Sequence, residues 1–325
     1  MRDFRFTTAL GAACALWLAC LPQSAMGQPY PSRPVRLVVG FPQGGPNDIL
    51  GRMTARWLSE RLGQPFVVEN KAGRSGNIAT ETVVRATPDG YTLLLVGPAN
   101  AISGSLGQDL GFSFLRDIEP VAGITREALV MVVHPSVRAK NPTEFIALAK
   151  SKPGQLKMAS TGNASSPHLS GELFKMMTGV DLQVIHYGGG GPALKAMIAG
   201  EADMMFEPLS AAIEPVRSGK LRPLAASTRE RSEALPSLPV MNDFVPGYEA
   251  SAATGLGAPK GTPAPVIALL NKTINAGFHD AIFKSRILDT GGVPLAGTPA
   301  DFGKVMALET EKWAKVVQFA MPKTK

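Results

Sequence analysis

The chain has 325 residues, 45% hydrophobic and 18% charged, which is ample for a packed core and more length than one average domain needs. Its formal net charge is +7, but the basic residues are scattered and seldom interleave with aromatics, which argues against a nucleic-acid-binding stripe. Both cysteines, Cys14 and Cys20, sit near the amino terminus, so the chain beyond them holds neither a disulfide nor a thiolate metal site.

Met1 to Gly27 reads as a signal peptide. Arg2 and Arg5 give a basic start, Ala9 to Leu21 an apolar stretch, and Ala25-Met26-Gly27 a small-residue cleavage site before Gln28. The apolar stretch is too short to span a bilayer and no later segment supplies a span, so an exported, soluble protein is expected. Losing Arg2, Asp3 and Arg5 with the leader lowers the net charge by one, to +6.

After a Pro-rich lead-in, Val35 to Val39 is an apolar, β-branched strand ending at Gly40. The loop Phe41-Pro42-Gln43-Gly44-Gly45 follows, and Pro46, Asn47 and Asp48 favour the start of a helix running to Leu62 and stopped by Gly63. Gly44 and Gly45 let the backbone approach a ligand closely, and the helix start beside them offers unpaired N–H groups and a positive dipole end. Pro65 to Asn70 is a second strand, Lys71 to Asn77 a second Gly-rich loop, and Ile78 to about Ala86 a helix. The turn Pro88-Asp89-Gly90 leads into a buried strand, Tyr91 to Gly97, with Asn100 just past its carboxyl end. Three strand–loop–helix units with their loop tips on one edge predict an α/β lobe.

The pattern then repeats. Strands are expected at Leu129–His134, Leu156–Ser160, Leu182–Tyr187, Asp203–Phe206 and Leu221–Ser227, with helices near Thr143–Lys150, from Pro167, and at Ala193–Ala199. Two polar loop tips stand out: Thr161-Gly162-Asn163-Ala164-Ser165-Ser166 and Gly188-Gly189-Gly190-Gly191. Ser251 to Ala258 reads as an Ala/Gly-rich connection back to the first lobe, followed by helices at Pro263–Phe278 and Pro299–Phe319.

Candidate chemistry narrows toward binding. His134, His168, His186 and His279 are isolated and lack metal-site spacing, so neither a metal nor a cofactor is expected. Gly188 to Ala193 matches G-x-G-x-x-A with Glu207 further on, but four consecutive glycines meet that pattern almost automatically, and nicotinamide cofactors are mainly intracellular. No serine occupies a G-x-S-x-G elbow. Asp48 or His168 could act as acid/base in an exported enzyme, yet helix capping is the commoner role for such an aspartate, and binding without turnover is the expectation. Hydroxyls at Thr161, Ser165 and Ser166, with N–H groups at helix starts, could hold a carboxylate without burying a lysine or arginine.

Taken together, these stretches resemble the Bug-type periplasmic solute-binding proteins, the receptors of tripartite tricarboxylate transporters. The carrying residues are Pro31-Ser32-Arg33-Pro34, Phe41 to Asp48 with Arg52, Gly76-Asn77-Ile78, Pro88 to Leu93, His168-Leu169 with Glu172, and Tyr187 to Ala193. Later ones are Gly219 to Ala225, Leu235 to Val240, Ala258 to Pro263 and Lys312-Trp313. The resemblance implies a two-domain α/β periplasmic binding protein of type II, a Venus-flytrap with a hinge and an interdomain ligand cleft. Residues 28–128 and 251–325 would form one domain and 129–250 the other. The ligand implied is a small organic carboxylate or dicarboxylate, with the membrane subunits of the transporter as partners and the receptor itself a monomer. Carried onto this sequence, the site would comprise Phe41, Gly44, Gly45, Asp48, Asn77 and Asn100 from the first domain. Ser160, Thr161, Ser165, Ser166, Tyr187, Gly189 and Gly190 would come from the second. A receptor presenting its ligand to a sensor kinase shares the same sequence features. Gly188, His186, Ala253, Lys71-Ala72 and Ser103 depart from the family pattern, and they bear on the shape of the cleft rather than on the fold.

Overall fold

The computed structural model describes residues 29–106, 110–229, 231 and 235–321, so the expected signal peptide and both cysteines lie outside the described residues. β1 (Val35–Val39) is buried along almost its whole length and feeds α1 (Pro46–Leu62). β2 (Phe66–Asn70) and α2 (Asn77–Val84) follow, then the fully buried β3 (Thr92–Val96) and the short α3 (Pro98–Ser103). One further turn of helix, α4 (Phe114–Asp117), leads into β4 (Ile118–Glu127). β1 pairs in parallel with β2 on one side and β3 on the other. Their near-continuous apolar runs are those of strands covered on both faces.

The second lobe starts at β5 (Leu129–Val133) and α5 (Pro142–Ser151), whose N-cap Asn141 accepts a hydrogen bond from the Glu144 amide. It continues through β6 (Lys157–Ser160), α6 (Ser166–Thr178), β7 (Gln183–His186), α7 (Gly190–Ala199), β8 (Met204–Pro208), α8 (Leu209–Arg217) and β9 (Arg222–Ala226). The chain then returns through β10 (Ala252–Pro259), α9 (Ala264–Gly277), α10 (Ala281–Asp289), β11 (Gly292–Pro294) and α11 (Pro299–Ala320). The two sheets have the orders β11-β4-β10-β3-β1-β2 and β7-β6-β8-β5-β9.

Ser251 to Ala258, expected as a connection, is instead a strand inside the first sheet, antiparallel to both β3 and β4. Its small residues are there for packing. A Cβ on Gly255 would collide with the Phe302 ring and the Ala122 carbonyl, and one on Gly257 would meet Ile118. β4 was not foreseen either. It pairs with β10 through two register shifts, which break the alternation that marks a strand. Pro215 inside α8 disguised that helix in the same way.

The lobes are joined at three places. Ala128 alone separates β4 from β5. On the return path, Ser227 donates its amide to Leu129 O at 2.8 Å and takes the Ala250 amide on its carbonyl at 3.0 Å. The third link is α11. Its first half packs Phe302 and Met306 against Val38, Leu94 and Val96, while Trp313, Val316 and Val317 enter the second-lobe core beside Phe174 and Tyr248. Trp313 is 1% exposed and its indole N–H donates to Glu309 Oε2 at 2.8 Å. Trp313→Ala should therefore cost about 3–5 kcal/mol, read as a lower urea midpoint.

Candidate functional site

Strand direction decides where the site lies. β1, β2, β3 and β4 end, and β10 begins, on one edge of the first sheet. β6, β7 and β8 end, and β5 begins, on one edge of the second. The single-residue link at Ala128 sets these two edges face to face, so the loops at the strand ends meet across a cleft. A groove of about 700 Å³ runs along the first lobe between α1, α10 and the ends of β4 and β10, with Arg52, Arg56, Glu127 and Arg286 in its wall and Ser210 as its one lining residue from the second lobe; none of the site residues expected from the sequence lines it.

On the first lobe, the β1–α1 loop is shaped by Asp48. Its Oδ2 accepts from the Gly44 amide at 2.8 Å and from Arg52 Nε at 2.9 Å, and its Oδ1 accepts from Asn70 Nδ2 at 2.9 Å. Asn70 Nδ2 also reaches Phe41 O at 3.0 Å. The hydrogen bond from Arg52 leads the effects that hold the Asp48 carboxyl down to about 2. Gly44 takes a φ of 83°, a conformation that favours glycine, whereas Gly45 is extended at φ −80° and caps α1 without a side chain. The loop rests on its neighbour: a Cβ on Gly40 would lie 2.8 Å from Gly76 Cα.

That neighbour, Arg74-Ser75-Gly76, carries φ values of 47° at Arg74 and 54° at Ser75, strained for non-glycine residues, and it delivers Asn77 to the first turn of α2. Asn77 is 2% exposed, yet neither its Nδ2 nor its Oδ1 has a hydrogen-bond partner. Asn100 is different. Its Oδ1 accepts from the Gly97 amide at 2.7 Å and its Nδ2 donates to Thr80 Oγ1 at 2.8 Å, so its side chain is spent on the start of α3.

The second lobe presents two loops. In the first, Ser160 Oγ donates to Gly162 O at 3.1 Å and lies 3.0 Å from His186 Nδ1, while Thr161 Oγ1 donates to Ser165 Oγ at 2.9 Å. Ser165 Oγ in turn donates to Gly162 O and accepts the His168 amide as the N-cap of α6. Ser166 is half-buried at the first position of that helix. In the second loop, the Tyr187 amide donates to Ser160 O at 2.9 Å, and Gly189, at φ 132°, caps α7 without a side chain. Gly190 opens that helix.

His168 is buried and its Nδ1 accepts the Ala164 amide at 3.1 Å. Burial, then the charges of His186 and Lys175, push it down to about 4, so it is neutral at physiological pH. The structure also brings to the cleft a residue the sequence did not mark as a contact. Glu207, at the end of β8, is 3% exposed with Oε2 unpartnered, and a Cβ on Gly190 would stand 3.5 Å from its Oε1. Nothing in the sequence separates a buried unpaired glutamate from a surface one. No group of three or more metal-ligating side chains occurs among the described residues.

Two α/β lobes joined by short crossings, with donor-rich loops facing across a cleft, define a solute-binding receptor. The chain belongs to the Tripartite tricarboxylate transporter family receptor family, which matches residues 50–320. It is 36% identical to protein BugT of Bordetella pertussis, over 89% of this chain and 90% of that one. Among solved structures, Rpa4515 of R. palustris with adipate superposes with a TM-score of 0.75 at 34% identity, covering 90% of this chain and 98% of that one. MatC from Rhodopseudomonas palustris with bound malate gives 0.72 at 29% identity, covering 89% and 100%. No helix among the described residues is long and apolar enough to cross a membrane.

The Asp48 clamp has a pH signature. Its carboxyl lies at about 2 in the fold against an ordinary value of 3.8, so its contribution is complete above about pH 4 and disappears as pH falls toward about 2. Asp48→Asn should lower stability at neutral pH by about 1–3 kcal/mol and flatten the loss of stability across that acid window, as followed by circular dichroism against pH.

Proposed function

We propose that this protein is a periplasmic receptor that captures a small organic carboxylate, a dicarboxylate in the first instance, and passes it unchanged to the membrane subunits of a tripartite tricarboxylate transporter. Residues 28–128 with 251–325 form one lobe in this reading and 129–250 the other, hinged at Ala128 and the Ser227–Ala250 contact. The observation that carries it is Asn77: a buried amide with both polar atoms unpaired, on a cleft loop, costs free energy unless a ligand completes it.

In this reading the first lobe contacts the ligand through the Phe41–Gly45 backbone and the Asn77 amide. The second lobe uses the Ser166 hydroxyl and the remaining N–H groups of the Thr161–Ser166 loop, with the Tyr187 hydroxyl and the N–H groups of Gly188 to Gly190. Asp48, Asn100, Ser160 and Ser165 hold those loops in shape, because their side chains are already engaged. The adipate and malate held by two relatives support the carboxylate. Capture without chemistry is favoured because Asp48 is ionised and bound by three donors, and His168 gives its Nδ1 to a backbone amide. A micromolar affinity corresponds to about −8 kcal/mol, within reach of a few charge-assisted hydrogen bonds formed only when both lobes close on the solute.

Thermal shift and calorimetry against a panel of mono-, di- and tricarboxylates, sugars and amines test the reading. Stabilisation by a carboxylate that is recovered chemically intact is the expected result, and stabilisation confined to sugars or amines would overturn it. Asn77→Ala should weaken that binding at least tenfold while the free protein melts at the same temperature or higher. Gly45→Val should also abolish binding with little change in melting temperature, since the backbone there is extended and the nearest neighbour of a Cβ is Pro42 O at 3.5 Å.

A further inference from the structure

Among the described residues, no cation is placed against Glu207. It leaves β8 at the carboxyl edge of the second sheet, opposite Val130 of β5, with its side chain against the first turn of α7. That turn is built from glycines, has no side-chain cap, and begins a helix of 10 residues whose positive dipole end faces the cleft. The titratable group facing Glu207 is Glu127 of β4, which accepts from Ser210 Oγ at 3.3 Å and borders the first-lobe groove whose wall also holds Arg52, Arg56 and Arg286. On the elements packed around it, Lys195 of α7 and Glu214 and Arg217 of α8 are exposed to solvent, and Lys157 stands at the far end of β6. His186 is two strands away at the end of β7. Among the described residues, this orphaned carboxyl oxygen has another carboxyl as its titratable neighbour and no hydrogen-bond partner.

We propose that Glu207 is a specificity-determining contact of the second lobe, whose carboxyl O–H donates a hydrogen bond to a ligand carboxylate seated at the start of α7. This rests on the receptor reading above and assigns the group that recognises one end of the solute. Burial, and secondarily the charge of Glu127, push Glu207 up to about 8, so it carries its proton at physiological pH. A carboxylate at this place takes N–H donors from Gly190 and Gly191 and the O–H of Glu207, whereas an ionised glutamate would repel it. Capture is thereby linked to a proton. Binding an anion holds the proton more firmly, so affinity is full below about pH 8 and falls as pH rises beyond it, by up to tenfold per pH unit. A dicarboxylate is already ionised throughout that range and adds no slope of its own.

The test is calorimetry with malate and with adipate between pH 6 and pH 9.5 on the wild type, Glu207→Gln and Glu207→Ala. Wild-type affinity for the better of the two should drop above pH 8. Glu207→Gln, which keeps a donor but cannot ionise, should bind within a few fold of wild type at pH 7 with no such drop. Glu207→Ala should bind at least tenfold more weakly, while its free form melts no lower than wild type, because the lost oxygen had no partner. Carboxylate binding that is flat with pH and untouched in Glu207→Ala overturns the assignment and leaves the receptor reading standing. A pH dependence that persists in Glu207→Gln belongs to Glu127 and also overturns it. Wild-type binding of amines that Glu207→Gln destroys shows an ionised acceptor, which overturns the donor role. No stabilisation by malate, adipate or any carboxylate of the panel overturns both readings together.

Discussion

Ala128 is the only residue between the last position of β4 and the first of β5. A chain cannot turn away in one residue, so the edge on which β4 ends must face the edge on which β5 begins. The parallel strands of each sheet end on that same edge, and the loops and helix starts that directly follow them lie there too, whereas α5 and α9, which follow β5 and β10, start on the opposite edge. Opposed N–H-rich loops are therefore a consequence of topology before any particular side chain is considered. An anion is the natural guest of such a cleft, since helix starts supply positive potential without desolvating a lysine or arginine.

The loops are made stiff by spending their own polar groups. Asp48 closes the first loop on three donors, Asn100 closes the start of α3, and Ser160, Thr161 and Ser165 close the loop before α6. A loop satisfied internally does not reorganise when a solute arrives, which is what preorganised recognition requires. Against that accounting, the exceptions are informative. The buried side-chain atoms left without partners among the described residues are those of Asn77 and Oε2 of Glu207, one on each lobe, both at the cleft edge. Unpaired polar atoms destabilise the empty protein and are tolerated where a ligand completes them.

Much of the first lobe was legible because its strands are continuous apolar runs bounded by Pro and Gly, and α1, α5 and α6 announce themselves with proline in the first turn. β10 was not, because Gly255 and Gly257 are selected by the Phe302 ring and by Ile118, contacts set by residues far away in sequence. β11 has only three residues, and α10 carries polar and apolar residues with no strong stripe. At the site, the glycine loops and the Asn and Ser tips could be read from composition. Which hydroxyls and amides are already spent could not, because that depends on partners such as Asn70 and Thr80, in other segments. Glu127 gave no signal and Glu207 only that of the discarded dinucleotide pattern, since their character comes from tertiary neighbours.

Closure of the cleft has to bend three links at once, and one residue ties them. Glu249, on the return crossing, pairs with Arg126 at the end of β4, lies 3.3 Å from Arg229, and gives its backbone carbonyl to Lys312 of α11 at 3.2 Å. Ser251 Oγ joins the same carboxylate at 2.8 Å. The first crossing, the second and the bridging helix therefore move as a unit, and the lobes can rotate but cannot drift apart. Rotation about a tied axis moves the loop tips farthest and the roots of the cleft least. Glu127 sits at such a root beside Ala128, Glu207 lies at the end of β8 in the second lobe, and Asn77 opens α2 in the first. Closure therefore brings the Asn77 segment of the first lobe and the loop tips of the second together.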